Sequence, residues 1–224
     1  MEHLDDNSHD DADLTLVEGL TTSRIETLGD GVFAIAMTIL VLNLKTPLNL
    51  DIEALPQIMT DLWPQIISYF LSFIALGSLW IAHHNQYHWI QFSNRKFLWI
   101  NIFFFSFVCL IPFTTTLLQT HQNKQLAVIA FGINYVICLL LLYSHWSYAT
   151  HKHRLIADNL NHKIMRRIKA RIVFSMLLFL VGLAASYINP ALSIILFLVT
   201  LLLSITPSSY DKYLTGSDSS HHPH

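Results

Sequence analysis

RIETLGDGVFAIAMTILVLNLKTP, residues 24–47, says the most about this chain. It opens on Arg24, Glu26 and Asp30 and then runs apolar from Val32 to Leu44, interrupted only by Thr38 and Asn43. Lys45 and Pro47 end the run. Ser23 with Glu26 three residues on has the form of a capping box, which predicts a helix beginning near Arg24. At about 100° per residue, Gly31, Ile35, Thr38, Ile39, Leu42 and Lys45 share one stripe, and Asp30 stands roughly 110° away from it. Such a stripe suits a narrow apolar conduit with one hydroxyl layer, and it equally suits core or lipid contact. An ionisable group inside a bilayer costs roughly 2.5–3.5 kcal/mol on insertion scales, so Asp30 requires a partner or water. GDGVFA at 29–34 matches a dinucleotide fingerprint by accident, since that motif needs a preceding strand and a soluble βαβ unit.

The rest of the chain agrees with a membrane setting. Charged residues make up 12% of the 224 and hydrophobic residues 53%, against a charged share of about 25% in soluble domains. The mean hydropathy is +0.45. Six apolar windows fall at roughly 28–44, 62–82, 97–118, 125–149, 171–188 and 191–206, each near the ~20 residues that cross a bilayer. They predict an all-α polytopic membrane protein with six transmembrane helices and leave no room for a soluble catalytic domain. No enzyme is expected.

Basic residues set the orientation. Lys152, Arg154, Lys163, Arg166, Arg167, Lys169 and Arg171 surround the link between windows four and five, and Arg24, Arg95, Lys96 and Lys212 fall on the same side. Only Lys45 and Lys124 fall opposite, eleven against two. Both termini are therefore expected in the cytoplasm, with the protein multi-pass in the cell inner (plasma) membrane. The first 20 residues hold seven carboxylates and no Lys or Arg, unlike a secretory signal.

Several other groups invite a reading. Cys109 and Cys138 lie in apolar windows without a CxxC pair and are expected as buried free thiols. His84 and His88 are spaced i, i+4, which can bind zinc. Without HExxH or a nearby acidic ligand, His83, His84 and His88 are better read as hydrogen bonding to the first helix, and no metal is assigned. His145, His151, His153 and His162 are read as pH-dependent charge facing anionic lipid. Pro112 is expected to kink its helix, with Thr114, Thr115 and Thr116 satisfying freed carbonyls. Asn101 and Asn134 are expected to bond between helices.

Three stretches together resemble one family. Residues 24–47 are similar to the first-helix signature of the lysosomal potassium channel family, transmembrane protein 175, in its bacterial branch. LWIAHHNQY from Leu79 resembles its Trp-and-His motif, and FLWINIFFFSFVCLIPFTTTLL from Phe97 resembles its third helix. The likeness covers residues 24–118. It implies six transmembrane helices per subunit and a homotetramer with the first helix lining a central pore. Ile35, Ile39 and Leu42 would form apolar rings and Thr38 a polar layer. Arg24 and Asp30 match the ends of an Arg-x-x-x-Phe-Ser-Asp motif, and Trp80 and His84 match the groups that pack against it. Leu28-Gly29 replaces the motif's Phe-Ser.

The resemblance divides the chain into an acidic disordered cytoplasmic tail at 1–22, a six-helix transmembrane channel domain at 23–207 and a cytoplasmic tail at 208–224. It implies a potassium-preferring cation channel with a hydrophobic constriction and no cofactor beyond the permeant potassium ion. The expected partners are a second copy of the chain, membrane lipid and monovalent cations, with no nucleic acid. A proton-conducting channel and a secondary cation transporter are the alternatives. A transporter is disfavoured by the lack of an internal repeat.

Overall fold

The computed structural model describes residues 22–44, 55–121, 125–156 and 160–205. The two tails expected at 1–22 and 208–224 lie outside these residues except for Thr22, which is already helical. Among the described residues six α-helices follow one another: α1 (Thr22–Leu42), α2 (Leu55–Tyr87), α3 (Arg95–Thr120), α4 (Gln125–Thr150), α5 (His162–Ala185) and α6 (Pro190–Ile205). The first five are long and apolar enough to cross a membrane, and α6 is a shorter apolar helix of 16 residues. The chain is a multi-pass membrane protein with the predicted succession of six helices.

Helix ends depart from the windows where hydropathy and helicity part company. Ser23 lies inside α1 rather than capping it; its carbonyl accepts from the Thr27 hydroxyl at 2.8 Å. At 33 residues, α2 is about 50 Å long at 1.5 Å per residue and projects beyond the hydrocarbon. α5 begins nine positions before its apolar window, because Lys163 to Arg171 can remain helical outside the membrane core. Asparagines cap three helices. Asn94 Oδ1 accepts from Phe97 N–H at 3.0 Å, Asn161 Oδ1 from Lys163 N–H at 2.8 Å and Asn189 Oδ1 from Ala191 N–H at 2.9 Å. Pro190 occupies the first helical position of α6, where its missing N–H costs nothing.

Consecutive helices from α3 to α6 pack as neighbours, α1 lies across α2 and α3, and α6 returns to α2 and α4. Near α6 the core is aromatic. Phe179 and Phe197 stack with centroids 4.6 Å apart, and Tyr135 stacks on Phe179 at 4.2 Å. Gly132 and Gly182 make that approach possible: a Cβ on Gly182 would sit 2.6 Å from the Phe197 ring, and one on Gly132 would sit 2.5 Å from Leu183 Cδ2. Small residues at such crossings are how membrane helices approach closely.

At the end bearing the basic link, the connections are joined by backbone. Ile90 and Ile156 form an antiparallel bridge, and the N–H groups of Gln91 and Phe92 both donate to the Leu155 carbonyl. Ile90, Leu155 and Ile156 are buried beneath this rung. Lys152 and His153 turn the chain towards it in the left-handed region, at φ 54° and 52°.

The expected bond donors at depth are present. Asn134 Nδ2 donates to the Phe107 carbonyl at 3.3 Å, from α4 to α3. The threonines after Pro112 bond the carbonyls of Ile111 and Pro112 rather than the carbonyl that the proline itself frees. Cys138 is buried, but Cys109 is exposed, correcting the expectation for that thiol.

Candidate functional site

α1 has two unlike faces. Ile25, Gly29, Phe33, Ala36 and Leu40, spaced three or four apart, are its buried residues. The Phe33 ring meets the rings of His83 and Phe104. Gly29 permits this closeness, since a Cβ there would lie 3.1 Å from Phe105 Cζ and 3.4 Å from His83 Cε1. Among the described residues nothing covers the other face. Ile35 is 62% exposed, Ile39 40% and Leu42 78%. A groove of about 360 Å³ runs beside them between α1 and α3, with Cys109 and Phe113 on its far wall.

Thr38 lies on this open face. Its hydroxyl is within hydrogen-bond distance of two carbonyls of its own helix, Ala34 at 3.0 Å and Ile35 at 2.9 Å. The hydrogen is thus committed to the backbone, and the oxygen keeps lone pairs for an outside group.

Asp30 points to α2. Its Oδ1 accepts the indole N–H of Trp80 at 2.8 Å, and the Trp80 ring stacks on His84 at 5.6 Å with 23° between planes. Asp30, Trp80 and His84 therefore come together. Arg24 does not join them: it is exposed, and six residues of helix put it about 9 Å along the axis from Asp30 and on a different face. Asp30 is thus held by the Trp80 indole on an exposed edge of the protomer.

Beneath Phe33 lies a buried polar cluster that reading by motif did not foresee. Asn101 Oδ1 receives two donors, His83 Nε2 at 3.2 Å and the Tyr87 hydroxyl at 3.1 Å, while Asn101 Nδ2 donates to the Phe97 carbonyl at 2.9 Å. His145 Nδ1 donates to Gln86 Oε1 at 2.6 Å. The His83 and His145 rings are 5.4 Å apart. Two expectations change here. His83 bonds α3 and touches α1 only through its ring, and His145 is 1% exposed rather than facing lipid. The usable signal for His145 was periodicity: Cys138, Leu142, His145 and Ala149 fall on one buried face of α4.

Comparison with known proteins follows the same segment. The family model described as endosomal/lysosomal potassium channel TMEM175 matches residues 24–112. A potassium channel of Chamaesiphon minutus is 29% identical over 77% of this chain and 88% of its own length. A potassium channel of Chryseobacterium sp. is 29% identical over 87% of this chain and 98% of its own. Vertebrate proteins named endosomal/lysosomal proton channel TMEM175 align over less; that of Gallus gallus is 28% identical over 49% of this chain and 24% of its own. The crystal structure of the Chamaesiphon minutus homolog, described as a lysosomal potassium-selective channel TMEM175 homolog, superposes with a TM-score of 0.73 at 26% identity. That match covers 82% of this chain and 95% of the other.

Proposed function

We propose, from the likeness of residues 24–112 to the TMEM175 family of ion channels and of the fold to the Chamaesiphon minutus homolog, that this chain is a cation channel preferring potassium, assembled as a homotetramer around four copies of α1. The observation that carries this reading is the open face of α1. Ile35, Ile39 and Leu42 are left uncovered by the chain's own helices while the opposite face is fully packed. Lipid covering such a face would be unremarkable chemically, but the Thr38 oxygen lies on the uncovered side and gains from water or ions. In the proposed assembly Ile35 forms the narrowest ring and Ile39 and Leu42 form further rings. A ring of this kind blocks ions by excluding water and opens by a modest dilation.

Cations are favoured over anions by two features. Glu26 and Asp30 place carboxylates near one mouth. Thr38, having given its hydrogen to the backbone, presents oxygen lone pairs to a partly dehydrated ion. The basic residues concentrated on one end of the bundle support a cytoplasmic setting for that mouth.

The test is ion flux from liposomes containing purified protein, with potassium, sodium and proton gradients compared. Potassium flux is expected, and Ile35→Asn should raise it several-fold by wetting the ring. Liposomes that hold their potassium with either protein, or a particle with a helix other than α1 on its axis, would end the proposal.

A further inference from the structure

A cavity of about 790 Å³ lies between α2, α4, α5 and α6 at the end bearing the basic link. That volume lies within the range of small-ligand sites. Its walls are apolar for most of their extent, with Ile74, Leu139, Leu142 and Ile172 among them. The deep polar groups are already engaged: the Ser78 and Tyr135 hydroxyls bond each other at 2.7 Å, and Gln86 is held by His145 and the Leu142 carbonyl.

The mouth is different. Arg167 and Arg171, four residues apart on α5, present their guanidinium groups on the same side of that helix, and both line the cavity. Arg171 gives an N–H to the Ser204 carbonyl in the last turn of α6, one of the five donors that a guanidinium fork carries. Arg167 is exposed at the rim. Asn85 adds an amide from α2, and among the described residues no Asp or Glu lines the cavity.

Two cations over a greasy chamber, at the level where a basic link leaves the hydrocarbon, complement a molecule with an anionic head and a long apolar chain. Guanidinium forks match phosphate oxygens in bidentate geometry, and basic pockets between membrane helices take anionic headgroups. A free phosphate would leave the apolar walls unmatched. A choline headgroup would bring a cation to two guanidinium groups, where the described lining offers no carboxylate to receive it. We propose that this cavity binds one anionic phospholipid per protomer, with its phosphate on Arg167 and Arg171 and an acyl chain between α2, α4 and α5.

The experiment is native mass spectrometry of the assembled protein after exchange with dimyristoyl phosphatidylglycerol or dimyristoyl phosphatidylcholine. One phosphatidylglycerol per protomer should be retained, and phosphatidylcholine about tenfold less. Arg167→Gln should lower phosphatidylglycerol retention by at least about fivefold, with Arg167→Lys in between. Ser175→Phe fills part of the chamber beside Arg171 and should also lower retention, and size exclusion checks that each variant still assembles. Equal retention of both lipids, or retention indifferent to Arg167→Gln, would overturn the proposal. Displacement of the lipid by inorganic phosphate would mark a plain anion site instead. Binding to dispersed protomers but not to the assembly would mean that a second copy covers the cavity. The readout is bound lipid rather than current, so failure here leaves the conducting role standing.

Discussion

Trp80 of α2 donates its indole N–H to Asp30 of α1 at 2.8 Å, joining residues fifty positions apart. The same ring lies flat on His84, one helical turn further along α2. The bond thus positions an acidic side chain of α1 by way of an aromatic pair on α2, and it fixes the rotation of α1 about its own axis.

Trp80→Phe should keep the stacking on His84 and remove the donor. The expected loss is about 1 kcal/mol, below that of a buried charge-assisted bond because Asp30 is solvent-accessible. Thermal unfolding in detergent measures it. Asp30→Asn keeps an acceptor and should lose less than Asp30→Ala.

Asn101→Leu should be costlier. It deprives the buried His83 Nε2 and Tyr87 hydroxyl of their shared acceptor, and each stranded group costs about 1–3 kcal/mol. Because His83 stacks nearly parallel on Phe104, at 11° and 5.3 Å, phenylalanine suits its place. Adding His83→Phe to Asn101→Leu should therefore recover part of the lost melting temperature, and a double-mutant cycle gives the coupling.

Gly182→Ala should overpack the crossing of α5 and α6, since the new methyl meets the Phe197 ring at 2.6 Å. A cost of about 1–3 kcal/mol is expected. Phe197→Leu in the same chain should relieve it, which the unfolding midpoints of the three variants would show.

Thr38→Val should be nearly silent in stability, within about 0.5 kcal/mol, because the hydroxyl bonds only carbonyls of its own helix. Under the proposed function the same change should alter the ratio of potassium to sodium flux, as it removes the oxygen facing the ion path. An unchanged ratio would take Thr38 out of the selecting layer.

The order of six helices was legible because each crossing of a bilayer demands about twenty apolar residues, and α3 and α4 match their windows within two residues. The early start of α5 was not. Hydropathy detects hydrocarbon, whereas Lys163 to Arg171 form good helix in water. The two faces of α1 follow from its spacing, and so does Asp30 turning away from the open stripe. The partner of Asp30 came from the likeness of Trp80 to a motif, since nothing local ties residues fifty apart. His145 and Cys109 were misplaced for one reason. Proximity in sequence to a basic loop or an apolar run does not tell which side of a helix a residue occupies, and only packing against α2 and α3 decides it.

The backbone rung between Ile90 and Ile156 constrains how this bundle can rearrange. Sliding α2 lengthwise past α4 would break these main-chain hydrogen bonds. Tilting leaves them intact, provided the pivot is at the stapled end. Shape changes in the outer helices are thereby channelled into splaying at the far rim, as the blades of a fan spread from their pin.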